Sequence, residues 1–196
     1  MNLRDSLVQE AARILCEEQL TDYRIAKQKA AERLGVSGRS QLPDNAQIQQ
    51  AVIEYQRLFG GDRYRVHLRR MRETALRVMK SLANFSPRLV GGAITGAVTP
   101  AHRVQLHAFA DQAEAIDLYL HERGIAFDED ERSYRYPDGR EQRVPLARLE
   151  VDGIGVDLAL FSEADSRRAP VNPADGQPFR RLDAVQAQKL LEADGR

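Results

Sequence analysis

Leu89-Val90-Gly91-Gly92-Ala93-Ile94-Thr95-Gly96, and after a polar loop Val104-Gln105-Leu106-His107-Ala108-Phe109-Ala110-Asp111, is the stretch that decides the fold. A short apolar run meets a glycine turn. Alternating apolar residues at Val104, Leu106 and Ala108 then read as a half-buried strand. Asp111 is placed to cap a helix over Ala113, Ile116, Leu118 and Leu120, which Gly124 ends. Glycines at Gly91, Gly92 and Gly96 let a backbone approach a phosphate closely and aim N–H groups at it, and they equally suit a tight architectural turn. No lysine follows Gly96 in the G-x-x-x-x-G-K-[ST] pattern, which excludes a Walker-type loop. The G-x-G-x-x-G pattern is absent too, and a strand rather than a helix follows the turn, which excludes a dinucleotide-binding turn.

Toward the C-terminus, Ile125 to Tyr136 is strand-like, Pro137-Asp138-Gly139 is a turn, and a return strand covers Arg143 to Val151. Gly155-Val156-Asp157-Leu158-Ala159-Leu160-Phe161 is a strongly buried strand. The turn before it fixes the partner of Asp157. A two-residue turn at Asp152-Gly153 places Arg148 opposite Asp157 and makes a salt bridge; a turn at Gly153-Ile154 places Glu150 there and makes a carboxylate pair. The Asp-Gly preference favours the first. Residues 162–178 form a loop, and Asp183 caps a last helix over Val185, Ala187, Leu190 and Leu191.

Toward the N-terminus the period is helical throughout. A first helix, capped by Asp5 or Ser6, carries Leu3, Leu7, Ala11, Ile14 and Leu15. A second follows Thr21-Asp22 and ends at Gly35, residues 36–45 form a loop, and a third from Asn45 buries Ile48, Val52, Tyr55 and Leu58 or Phe59 before Gly60-Gly61. A long fourth helix, residues 62–84, has an apolar stripe of Tyr64, Leu68, Met71, Ala75, Val78, Met79 and Leu82. The expected fold is α+β: a helical region over residues 1–85, then residues 86–196 as a small mixed or antiparallel sheet with flanking helices and a C-terminal helix.

Between residues 86 and 161 the order of elements resembles the nucleotidyltransferase superfamily, which includes DNA polymerase beta. There a G-[GS]-x-x-x-G turn leads into a strand with a D-x-D pair, and a later strand brings a third carboxylate. Gly91-Gly92-Ala93-Ile94-Thr95-Gly96 is similar to the turn, Val104 to Ala110 to the D-x-D strand, and Val156 to Phe161 to the third-carboxylate strand, with Asp157 in place. The helical N-terminal part is also similar to a bacterial family of unassigned function. The superfamily's carboxylates hold Mg²⁺ ions that bridge the triphosphate and the attacking oxygen. At the family's spacing the pair here is Arg103 and Gln105, or Gln105 and His107 if the loop is two residues longer. Neither pair suits a hard divalent cation, and Arg103 repels one. The resemblance therefore implies a degenerate, nucleotidyltransferase-like protein that binds a nucleotide or another phosphorylated ligand. Gly91, Gly92, Thr95, Gly96, Arg103 and Gln105 are the candidate binding residues, with His107 and Asp157 in the catalytic positions. Mg²⁺ enters only in an active form with rearranged carboxylates, such as Asp111, Glu150 and Asp157.

Composition frames these readings. The chain has 196 residues, 29 Lys+Arg against 29 Asp+Glu, and 42% hydrophobic residues. That is enough apolar material for a core, without the signature of disorder. One cysteine, Cys16, excludes an internal disulfide framework, and with no signal-like N-terminus and no apolar span the expected location is cytoplasmic, away from a membrane. The zero net charge hides an asymmetry. Residues 61–103 hold nine basic and two acidic residues, and residues 111–165 hold six and fifteen. The two segments either neutralise each other or leave a basic face for an anionic partner. Arg65, Arg69, Arg72 and Arg77 on the fourth helix are an alternative RNA-contacting face, although no Phe or Trp interleaves with them. Arg167-Arg168 and Arg180-Arg181 flank the proline-containing loop and could close over a phosphate. Asp128-Glu129-Asp130-Glu131 reads as a solvated strand edge.

Overall fold

A computed structural model describes residues 2–37, 42–112 and 114–194. Residues 38–41 of the expected loop and Ala113 of the expected helix lie outside the described residues. The elements run α1 (Leu3–Glu17), α2 (Tyr23–Arg33), α3 (Asn45–Phe59), α4 (Gly61–Ser81), β1 (Arg88–Val90), α5 (Gly92–Thr95), β2 (Val104–Phe109), α6 (Glu114–Glu122), β3 (Phe127–Arg135), β4 (Glu141–Val151), β5 (Ile154–Phe161) and α7 (Ala184–Ala193). The fold is α+β, with all five strands after residue 86. The chain forms two compact units. A helical unit comprises residues 1–68, 95–102 and 173–176, and a sheet unit comprises residues 69–94, 103–172 and 177–196.

In the helical unit the core is Leu7, Ala11, Ile14 and Leu15 of α1, Ala26 and Ala30 of α2, and Ile48, Ala51 and Val52 of α3, with Ala97 beside them. Small residues recurring at helical spacing let these helices approach closely. The start of α1 differs from the expected cap: Asn2 accepts from the Asp5 N–H, and Asp5 answers as the reciprocal partner of a capping box. Asp22 caps α2, and Asp44 with Gln47 closes a second box on α3. Leu58 and Phe59, expected to be buried at the end of α3, are 67% and 69% exposed. The core shared with α1 takes in α3 only as far as Val52 and the partly buried Ile53.

The sheet unit is built on one mixed five-stranded sheet in the order β1-β2-β5-β4-β3. Only β2 and β5 are parallel; every other neighbour is antiparallel. Asp152 and Gly153 both have positive φ, 52° and 72°, as a type I′ turn requires. Val151 therefore faces Ile154, and Arg148 faces Asp157. The salt-bridge register is the one adopted, and Glu150 pairs with Gly155 instead. Alternation then defines a front face: Gln105, His107 and Phe109 on β2, Asp157, Ala159 and Phe161 on β5, Val144, Leu146 and Arg148 on β4, and Arg132 and Tyr134 on β3. Val90, Phe109, Tyr134, Val144, Leu146, Ala159, Phe161 and Phe179 form its apolar core. On the back face, Leu89, Leu106, Leu158 and Ala147 line up in register and are buried.

Candidate functional site

Five of the expected site residues meet in the sheet unit: Gly91, Arg103, Gln105, His107 and Asp157. Strand periodicity places them, because Arg103, Gln105 and His107 are spaced by two along the chain, and the parallel register sets Gln105 directly beside Asp157. Gly91 sits at the end of β1 with φ +74°, and a Cβ there would stand 2.6 Å from the Gln105 Oε1. Gly91 is thus glycine for two reasons, its backbone angle and the side chain of Gln105 lying across it. Gly92 opens the short helix α5.

Asp157 is 4% exposed and serves as the hub of this end of the face. Arg103 Nε donates to its Oδ1 at 2.5 Å, Arg132 Nη2 donates to its Oδ2 at 2.7 Å, and Arg148 Nε lies 3.5 Å from Oδ1. Arg103 is held further by the Leu149 and Val156 carbonyls, at 2.8 and 3.2 Å. It lies flat over Gly155, where a Cβ would come within 2.3 Å of the guanidinium. Three cations surround one carboxylate, and their side chains keep 31%, 35% and 42% of their surface exposed. Arg148 has a second partner in Asp130, at 3.3 Å. The result is a surplus of positive charge that solvent can reach.

His107 is 1% exposed, deeper than a half-buried strand histidine. Its ring lies among Phe161, Phe179 and Tyr134, with centroids at 4.6, 5.1 and 5.5 Å. Arg181 Nε donates to its Nδ1 at 3.1 Å. Burial, and then the charges of Arg181 and Arg132, hold its pKa well below the usual 6.5. The imidazole is therefore neutral at pH 7, with its proton on Nε2. It has no proton to spare as a general acid, and its one lone pair is already occupied.

This donor set does not fit Mg²⁺. Asp157 spends its oxygens on arginines, Gln105 offers one neutral amide, and His107 is a nitrogen ligand facing a guanidinium. Among the described residues no group of three or more His, Cys, Asp or Glu side chains is gathered to hold a metal ion, and that includes Asp111, Glu150 and Asp157.

Thr95 and Gly96 belong to the helical unit. There Gln49 Nε2 donates to Thr95 Oγ1 at 3.3 Å, and the Tyr64 hydroxyl donates to the Gly96 carbonyl at 2.8 Å. Gly96 has φ +87°, and a Cβ would meet the Tyr64 hydroxyl at 2.7 Å, so this glycine serves packing.

The basic face of α4 is largely committed within the fold. Arg72, expected on that face, is 5% exposed. Its Nε and Nη2 donate to the Ala93 and Ile94 carbonyls at 2.8 and 3.1 Å, and its Nη1 pairs with Asp194. From Leu68 onward the buried side of α4 is wider than the apolar stripe and takes in Arg72 and Thr74. Arg77 pairs with Asp152 and Arg70 donates to the Asp152 carbonyl, so part of the basic segment meets the acidic one. Arg65 and Arg69 remain exposed and pair locally with Asp62 and Glu73.

Sequence reasoning missed Arg132 as a partner of Asp157. Its signal was the alternation Arg132-Tyr134 on β3, directly after a run of acidic residues. Cys16 is half-buried on α1, and burial pushes its thiol up to about 12, which makes it a packing residue rather than a nucleophile. Among the described residues no helix is long and apolar enough to cross a membrane. No known protein-family model matches the chain, and no curated protein matches it either.

Proposed function

We propose that this chain is a nucleotidyltransferase-like protein without the two-metal carboxylate pair, which binds a nucleotide or another phosphorylated ligand on the front face of its sheet beside Gly91. One observation carries the reading. Gln105, His107 and Asp157 share one face of a parallel strand pair, with Gln105 across Gly91 and Asp157 in direct register. The resemblance to the superfamily sets its turn at Gly91, its third carboxylate at Asp157, and its carboxylate pair at Arg103 and Gln105 or at Gln105 and His107. Here the groups are an amide, a neutral imidazole and an aspartate neutralised by Arg103, Arg132 and Arg148. Where that superfamily uses Mg²⁺ to offset phosphate charge, these arginines offer guanidinium groups, which bind phosphate oxygens in a bidentate manner. No catalytic step follows from this set, and the role is binding.

A thermal-shift panel of nucleoside mono-, di- and triphosphates, with and without Mg²⁺, tests the reading. Stabilisation of RT ln(1 + [L]/Kd) is expected for at least one member, with no requirement for Mg²⁺, and R132Q reduces it. A flat response across the panel removes the reading.

A further inference from the structure

At the opposite end of the same face, four buried polar atoms have no hydrogen-bond partner: Arg181 Nη2, His107 Nε2, Tyr136 Oη and Gln142 Oε1. Their side chains are joined to one another through a small network. Arg181 Nε holds His107 Nδ1 at 3.1 Å, and Arg181 Nη1 donates to the Asp165 carbonyl at 2.9 Å. Gln142 Nε2 donates to the Asp165 carboxylate at 3.3 Å. Tyr136, 1% exposed, carries the Arg140 guanidinium on its ring at 4.3 Å, and Arg140 reaches the Asp165 carboxylate at 3.6 Å.

Buried polar atoms in folded proteins are almost always satisfied, and four in one network call for a common explanation. The chemistry of the four is specific. Arg181 Nη2 is a charged donor, and Arg181 makes no ion pair with any carboxylate among the described residues. His107 donates from Nε2, because its Nδ1 accepts from Arg181. The Tyr136 hydroxyl can donate or accept. Gln142 presents its oxygen, because its amide nitrogen is fixed on Asp165. Three donors and one acceptor, all buried and unpartnered, thus belong to one network around Arg181, whose guanidinium has no direct ion pair. An oxyanion that carries a proton matches this set: its oxygens take the donors, and its hydroxyl donates to Gln142.

We infer that Arg181, His107, Tyr136 and Gln142 form a binding site for a protonated phosphate group, either free hydrogen phosphate or the phosphate of a monoester. The site shares His107 with the strand pair of the proposed nucleotide site, but its cation is Arg181 rather than the arginines around Asp157.

Inorganic phosphate is the probe, added to the full chain at pH 7 in exchange for chloride at constant ionic strength. The melting temperature is expected to rise saturably with phosphate. Sulfate, which carries no proton at this pH, produces a clearly smaller rise. R181M abolishes the response and Y136F weakens it, with circular dichroism confirming that each variant is folded. Glycerol 3-phosphate, a monoester without a nucleoside, is run as a parallel arm: it shifts the protein at lower concentration than phosphate if the ligand is a monoester, and produces less effect than phosphate if it is the free ion. In a ¹⁵N-histidine spectrum, phosphate moves the Nε2–H signal of His107 and leaves those of His67, His102 and His121 in place, a readout that needs no variant. No phosphate effect beyond that of chloride, an equal effect of sulfate, an unmoved His107 signal or an unchanged response in R181M overturns the site. A nucleotide panel that fails beside an intact phosphate response removes the function proposed above and leaves this site standing.

Discussion

The two ends of the front face handle buried charge in opposite ways. At one end a single carboxylate, Asp157, gathers three guanidinium groups. At the other a single guanidinium, Arg181, gathers an imidazole and three carbonyls and has no carboxylate. The first arrangement is complete in itself, since the buried group is the one with the most partners, and its partners keep part of their surface in water. The second leaves the buried atom as the unsatisfied one. A buried ion contributes to stability only when it is paired, and its removal matters in proportion to what it leaves stranded. Truncation therefore separates the two ends. D157A leaves Arg103, Arg132 and Arg148 facing one another without an anion, and an expected loss of about 3 kcal/mol follows, discounted from the fully buried case because the arginines can rehydrate. Urea denaturation measures it. A loss under about 1 kcal/mol would mean that the arginines repel little and that the hub is not the organising element of this end.

Acid separates the ends in another way. His107 is kept neutral by burial and by its neighbouring arginines, and His102 in the helical unit is held at about 4 by burial and then by the nearby His67. Both folded-state values lie below the unfolded value of 6.5. The unfolded chain therefore takes up protons first, and stability is complete above pH 6.5 and falls as the pH drops toward the folded values. His102 alone accounts for a loss on the order of 2 to 3 kcal/mol at pH 4.5. H102Q and H107F each flatten the profile below pH 6.5 in urea melts at pH 7.0, 5.5 and 4.5. A profile that H107F leaves unchanged would show that the imidazole at the Arg181 end is not held neutral.

Arg72 lies between the two extremes and shows where the sequence was legible. It is more deeply buried than Arg181 yet paired like the arginines of Asp157, through Asp194 and two carbonyls. R72M is expected to cost about 2 kcal/mol, whereas R69A, which removes an exposed i,i+4 pair on the same helix, costs less than about 0.5 kcal/mol. Helical period alone cannot tell Arg72 from Arg69, because the carbonyls and the aspartate that claim Arg72 come from residues 93, 94 and 194. The strand register around Asp157 was legible, because the Asp152-Gly153 turn fixes it locally and alternation does the rest. The same alternation placed Gln105 and His107 on one face. Arg132, the burial depth of His107 and the Asp165 network were not legible, since each depends on which strand lies beside which, and the order β1-β2-β5-β4-β3 is a property of the assembled sheet. At Leu58 and Phe59 a sound local pattern failed for the same reason: apolar spacing names a face, and only packing supplies something to cover it.

The substitution at Arg181 is the one that most sharpens the contrast. In phosphate-free buffer, R181M exchanges a guanidinium without a counter-ion for an apolar side chain of similar length in a setting of Phe109, Phe161 and Phe179. It loses the bond to His107 Nδ1 and those to the loop carbonyls, each worth roughly 1 kcal/mol, and it relieves the burial of an unpaired charge of comparable size. The two contributions oppose each other, and the net change is expected to stay within about 1 kcal/mol, well below that of D157A. In saturating phosphate the difference between wild type and R181M widens by the ligand's linkage term, because only the wild type gains it. D157A keeps Arg181, His107, Tyr136 and Gln142, so at that end it gains the same linkage term as the wild type. A gap at Arg181 that fails to widen would make that end a closed structural network and would leave the four unpartnered atoms as an internal cost that the apolar core of the sheet offsets.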